Sequence, residues 1–137
     1  MVGVVLVGHG CLAEEMMRTA EFIAGKIERV AAVRVNQEEP LEALQKKIRE
    51  AIRQVAGAEG VLVLTDMFGG TPSNLSLSFM EPGKVEVISG MNLPMVLKLI
   101  ENREGINLQA YAREIRESGQ RNISLASEIL DRVQKKG

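Results

Sequence analysis

Four short runs of apolar, largely β-branched residues recur along the chain, each followed by a stretch with helical spacing. The runs are Val2 to Val7, Arg29 to Val35, Gly60 to Thr65 and Lys84 to Ser89. Continuous apolar runs of this length suit strands covered on both faces, as in a parallel sheet. Leu12 to Ala24 sets Leu12, Met16, Ala20 and Ile23 on one stripe, with Gly25 placed to end the helix. Pro40 to Val55 is the clearest helix, with Leu41, Leu44, Ile48, Ile52 and Val55 on one face and Pro40 suited to its first turn. Shorter helices are expected over Pro72 to Met80, with Thr71 as N-cap, over Pro94 to Glu101, and over Leu108 to Ser118, closed by Gly119. Asn122 to Ala126 alternates weakly and reads as a fifth, edge strand; Ser127 to Gly137 reads as a polar helical tail.

Strand–helix alternation of this kind predicts right-handed crossovers. The fold class is therefore α/β: a doubly wound, mainly parallel four-stranded sheet with helices on both faces, plus an antiparallel edge strand near the C-terminus. With 137 residues and neither linker nor repeat, one domain over 1–137 is expected.

Composition narrows the picture. Apolar residues are 45% and charged residues 26%, which excludes a disordered chain. Aromatics are only 3%, so the core must be built from Val, Leu, Ile, Ala and Met. Seventeen basic and 18 acidic side chains are interspersed, leaving a net charge of −1 and no basic stripe for nucleic acid. The pair Lys135-Lys136 reads as a solvated tail. The single cysteine excludes an internal disulfide and fits a reducing compartment. The apolar start is too short to span a bilayer and lacks the basic residues of a signal peptide, so a cytoplasmic, soluble protein is expected.

The candidate chemistry lies where strands give way to helices, the edge at which open parallel sheets bind ligands. Strand one ends in Gly8-His9-Gly10-Cys11, strand three in Asp66-Met67-Phe68-Gly69-Gly70-Thr71-Pro72-Ser73-Asn74, and strand four in Ser89-Gly90-Met91-Asn92-Leu93-Pro94. If strand one is central, His9 and Asp66 meet at that edge. His9 is the only histidine; flanked by glycines, its imidazole has room to act as a nucleophile toward phosphorus. Asp66 could hold one ring nitrogen and leave the other free to attack. Gly69, Gly70 and Thr71 lead into a helix start, where amides and the dipole receive anions; Gly10 and Cys11 begin a second such start beside His9.

Plainer readings stand beside these. A lone histidine is more often a surface residue, Asp66 a turn cap, and Gly69-Gly70-Thr71-Pro72 a tight turn before a helix. Cys11 reads first as a small buried residue. Zinc chemistry on His9, Cys11 and Asp66 is disfavoured, because one His and one Cys fall short of an ordinary zinc ligand set. No metal and no cofactor are expected.

Taken together, Gly8-His9-Gly10, the nine residues from Asp66 to Asn74, and Val87 to Met95 resemble the mannose-type enzyme IIA of the bacterial phosphoenolpyruvate-dependent sugar phosphotransferase system. The resemblance runs from about Val2 to Gly119. It implies a phosphocarrier whose His9 accepts a phosphoryl group from the phosphorylated histidine carrier protein and passes it to an enzyme IIB component. It further implies that Asp66 orients His9, that Nε2 is the phosphorylated nitrogen, and that Thr71 lies close to the phosphoryl site. Phe68, Met91 and Asn92 are expected partner contacts. A homodimer is expected, with Asn122 to Ala126 as the exchanged strand, and the membrane is met only through transporter subunits. Met67-Phe68 and Ser73 differ from the Trp or Leu and the aromatic residue common in sugar-transporting members. No IIB domain is fused before the chain ends at Gly137. A regulatory phosphorelay that moves no sugar is therefore an alternative. The phosphocarrier subunit of dihydroxyacetone kinase is another, though there the histidine sits in a different local sequence.

Overall fold

A computed structural model describes the backbone of residues 1–136 and the side chains of residues 1–134; the expected lysine tail, Lys135-Lys136, thus lies outside the described side chains. The strands are β1 (Gly3–His9), β2 (Val30–Val35), β3 (Val61–Thr65) and β4 (Val85–Ser89). The helices are α1 (Leu12–Ala24), α2 (Leu41–Val55), α3 (Thr71–Leu77), α4 (Leu93–Lys98), α5 (Leu108–Arg121) and α6 (Ala126–Lys136). The four strands form one sheet in the order β2-β1-β3-β4, every pair parallel.

Side-chain alternation along the central strands divides the core in two. Val4 and Leu6 of β1 and Leu62 and Leu64 of β3 face α1, α4 and α5, joined by Ala13, Ala20, Met95, Val96, Leu99 and Ile115. Val5, Val7, Val61 and Val63 face the other way, onto Leu44, Ile48, Ala51 and Val55 of α2 and Leu75 of α3. Both central strands are buried on both faces, which is why their sequences read as unbroken apolar runs.

Three expectations at the helix ends give way. Gly119 does not close α5 but lies inside it, two residues before its end. A Cβ at that position would lie 2.6 Å from Cγ and Sδ of Met95, so the glycine permits close approach of α4 and α5. Thr71 is not the N-cap of α3 but its first helical residue; Gly70, with φ −84° and ψ 172°, is the cap and makes no side-chain bond. The expected fifth strand is absent among the described residues. Asn122 caps α5, its Nδ2 donating to the Ser118 carbonyl at 2.7 Å, and after three further residues the chain enters α6. Because α5 runs past Ser118, the start of the presumed strand is drawn into the helix end, and β4 keeps β3 as its one strand partner there.

Candidate functional site

Placing β1 between β2 and β3 brings the ends of β1 and β3 side by side, with Val7 level with Thr65. The next residue or two on each strand are the site: His9 and Asp66. One carboxylate oxygen, Asp66 Oδ2, accepts from the His9 backbone N–H at 2.9 Å and lies 2.8 Å from His9 Nδ1. The other, Oδ1, accepts from the Met67 N–H at 2.9 Å. Asp66 is thereby fixed in place, its side chain only 8% exposed, while the imidazole it holds is 49% exposed.

Burial alone would raise the pKa of Asp66, but the bonds from the His9 N–H and ring, the ring's charge and the Met67 N–H outweigh it and hold the carboxyl below its ordinary value. An ionised carboxylate can only accept, so Nδ1 must carry the proton. In the neutral ring this leaves the lone pair on Nε2. The tautomer thus follows from the geometry.

Nε2 faces the start of α3. A Cβ built on Gly70 would come within 3.0 Å of His9 Cε1 and 3.4 Å of Nε2, so a side chain there would crowd the ring. Gly69 adopts φ 87°, a left-handed turn that swings the chain back toward His9, and Asn74 Nδ2 reaches the Gly69 carbonyl at 3.4 Å. Thr71 follows directly and is exposed. On the other side of the ring a cleft of about 480 Å³ is lined by His9, Gly10, Val35, Asn36, Gln37 and Glu38. Asn36, Gln37 and Glu38 escaped the reading of the sequence, although a polar run following a strand at this same edge was the signal for them. The nearest guanidinium on β2, Arg34, donates at 3.0 Å to both oxygens of Glu14, which holds the Glu14 carboxyl below its usual pKa.

Other expected site residues fall differently. Cys11 is exposed at the N-cap of α1, not buried. Phe68 is 76% exposed and Met67 55%, an apolar tip beside the histidine. Met91, by contrast, is buried in the core and presents no docking surface. The Asn92 side chain caps α4 by accepting from Met95 N–H at 3.2 Å and donates to the Gly119 carbonyl at 3.1 Å. Both residues serve the fold, because the β4–α4 turn must seat α4 against α5.

An open parallel α/β sheet carrying a histidine–carboxylate pair at its carboxyl edge defines the class of protein. A family model described as PTS system fructose IIA component (EIIA-man) matches residues 3–116, and the chain belongs to that family of sugar phosphotransferase components. It is 30% identical over 134 residues to the PTS system fructose-specific EIIA component of Bacillus subtilis (strain 168), covering 97% of this chain and 92% of that one. It is 32% identical over 104 residues to the PTS system mannose-specific EIIAB component of Escherichia coli (strain K12), covering 75% of this chain and 32% of that longer protein. The crystal structure of phosphotransferase system component EIIA from Streptococcus agalactiae superposes with a TM-score of 0.82 at 26% identity, covering 93% of this chain and 99% of that one. No described helix is long and apolar enough to cross a membrane.

Proposed function

We propose that the protein is a phosphocarrier in which His9 accepts a phosphoryl group from the phosphorylated histidine carrier protein and hands it to an enzyme IIB component. The observation that carries this reading is the double engagement of Asp66 Oδ2 with the backbone and ring of His9. In the forward step the Nε2 lone pair attacks phosphorus as the donor's P–N bond breaks, and that bond's electron pair returns to the donor imidazole. The His9 ring then carries phosphorus on Nε2 and a proton on Nδ1, and Asp66 balances its positive charge. Attack by the acceptor reverses these changes, so the protein ends as it began. No cofactor enters the step.

The amides of Cys11, Gly69 and Gly70, with the Thr71 hydroxyl, are the groups we assign to the phosphoryl oxygens; the Gly10 N–H, expected among them, is already donated to the Val35 carbonyl at 2.9 Å. Arg34 is already paired with Glu14, and a cradle without a free guanidinium suits a group that must leave as readily as it arrives. Phe68, beside Met67, supplies an exposed apolar contact for either partner. We place the protein in the cytoplasm, reaching the membrane only through transporter subunits. The relatives carry different sugar names, so the sugar follows from the acceptor rather than from this chain.

We further propose a homodimer. A groove of about 530 Å³ runs along the free side of β4, lined in part by Phe68, Val87, Ile88, Arg113 and Arg116. Ile123, which also lines it, and Leu125, Leu130 and Val133 after it in the chain are each at least 60% exposed. Apolar surface on this scale calls for a covering partner. Incubation with phosphoenolpyruvate, enzyme I and the histidine carrier should give one acid-labile, base-stable phosphoryl adduct per chain. Equal labelling of His9→Ala would refute the carrier role.

A further inference from the structure

Three hydroxyl side chains that take no direct part in the proposed transfer meet at the carboxyl ends of β3 and β4. Thr65 Oγ1 donates to Ser89 Oγ at 2.8 Å, and Ser73 Oγ lies 3.1 Å from the same Ser89 Oγ. Thr65 and Ser73 are completely buried. Their places in the chain give the cluster its meaning. Thr65 immediately precedes Asp66, and Ser73 follows Gly70 and Thr71 in the first turn of α3. The loop that carries Asp66, Gly70 and Thr71 therefore begins and ends on one atom, Ser89 Oγ. Ser89 itself is held in register with Thr65, and the Thr65 carbonyl accepts from the N–H groups of Gly90 at 3.0 Å and Met91 at 2.9 Å.

We infer that Ser89, on a strand that contributes nothing directly to the histidine site, is a positioning residue that latches both ends of the segment 66–72, the loop after β3 and the start of α3. Through that loop it sets the reach of Asp66 to His9 Nδ1 and of the α3 start to Nε2. The chemistry favours this over simple space-filling. A buried hydroxyl gains from bonding only if its partner is present, and here two buried hydroxyls depend on a third. Removing the shared partner takes from the Thr65 and Ser73 hydroxyls the one bond that ties the two ends of the loop together. Ser76, also fully buried in α3, offers the contrast: its hydroxyl donates to the Pro72 carbonyl of its own helix at 2.6 Å and ties nothing across the site.

This inference rests on the phosphocarrier reading, and the test separates the two. Wild type, Ser89→Ala, Ser89→Thr, Ser76→Ala and the core variant Val63→Ala are compared for melting temperature and for the rate of phosphorylation by the phosphorylated histidine carrier. The unphosphorylated proteins are also compared by long-range ¹H–¹⁵N spectra of the His9 ring. Ser89→Ala should slow phosphorylation roughly tenfold, the scale of a slight misplacement of reacting groups, and lower the fraction of ring protonated on Nδ1. Ser89→Thr, which keeps the hydroxyl, should restore both. Ser76→Ala and Val63→Ala should lower the melting temperature and leave rate and ring spectra alone. A Ser89→Ala rate within twofold of wild type, or a loss no larger than that of Val63→Ala, overturns the latch. If wild type takes no phosphoryl group, the carrier reading fails, and the ring spectra alone decide the latch: an unchanged Ser89→Ala ring refutes it and a shifted one sustains it.

Discussion

The two ends of the same sheet are built on opposite terms. At the amino end the chain is knitted shut. Val2 N–H donates to the Arg103 carbonyl at 3.1 Å, Gly3 N–H to the Gly60 carbonyl at 3.0 Å, and the terminal ammonium meets Glu59 at 3.0 Å. Arg103 is 2% exposed, with one guanidinium nitrogen donating to the Glu28 carbonyl. At the carboxyl end His9 and Phe68 stand in solvent. The contrast teaches where stability and function are kept apart. One end fixes the strands, so the other can leave a nucleophile and its loops open to partners.

Breaking either end should produce a different kind of loss. The largest expected effect is on His9→Ala, which should abolish phosphorylation while moving the melting temperature little, since the half-exposed ring contributes few buried contacts; labelling and calorimetry check both. Asp66→Asn keeps the shape but loses the charge that fixes the tautomer, and should slow phosphorylation about 10²-fold by stopped-flow measurement, the scale seen when a general catalytic group is misprotonated.

The same variant has a pH signature. The folded-state pKa of Asp66 is depressed, so its ionised form contributes stability above the unfolded value near 3.8, and that contribution is lost as pH falls through the lower folded value. The wild-type advantage over Asp66→Asn in melting temperature should therefore shrink as pH falls below the ordinary aspartate range.

Leu99→Ala, in the core beside Met1 and Arg103 at the amino end, should cost about 2–4 kcal/mol in urea unfolding, the scale for emptying a large buried apolar site, yet leave the phosphorylation rate of the folded protein unchanged. A change in rate larger than the change in folded fraction would dissolve the contrast between the ends. The smallest effect on the fold belongs to Val133→Asp in α6, which should leave the melting temperature of dilute protein unchanged and shift light-scattering mass from dimer toward monomer.

Much of this architecture was legible because local and global signals agree. The doubly buried strands announced themselves as apolar runs, α1 fell at the expected residues, and Gly25 ends it with φ 95°. The meeting of His9 with Asp66 followed from strand order alone. What stayed hidden was tertiary in origin. Gly119 looks like a helix stop until Met95 is packed against it, and Thr71 looks like a cap until Gly70 must pass the imidazole. Met91 and Asn92 look like site residues until α4 is seated on α5. The weak alternation at Asn122 to Ala126 had no partner strand to fix it, and helix α5 claimed its beginning. Three serine and threonine hydroxyls distant in sequence carry no local signal that they converge on one atom.

The central claim is that Asp66 holds Nδ1 of His9 and thereby makes Nε2 the nucleophile. Long-range ¹H–¹⁵N and ³¹P spectra of the ¹⁵N-histidine-labelled protein, taken before and after phosphorylation by the histidine carrier, test it most directly. The ring should be protonated on Nδ1 beforehand, and phosphorus should couple to Nε2 afterwards. Phosphorus on Nδ1, or a ring protonated on Nε2 at rest, would contradict it.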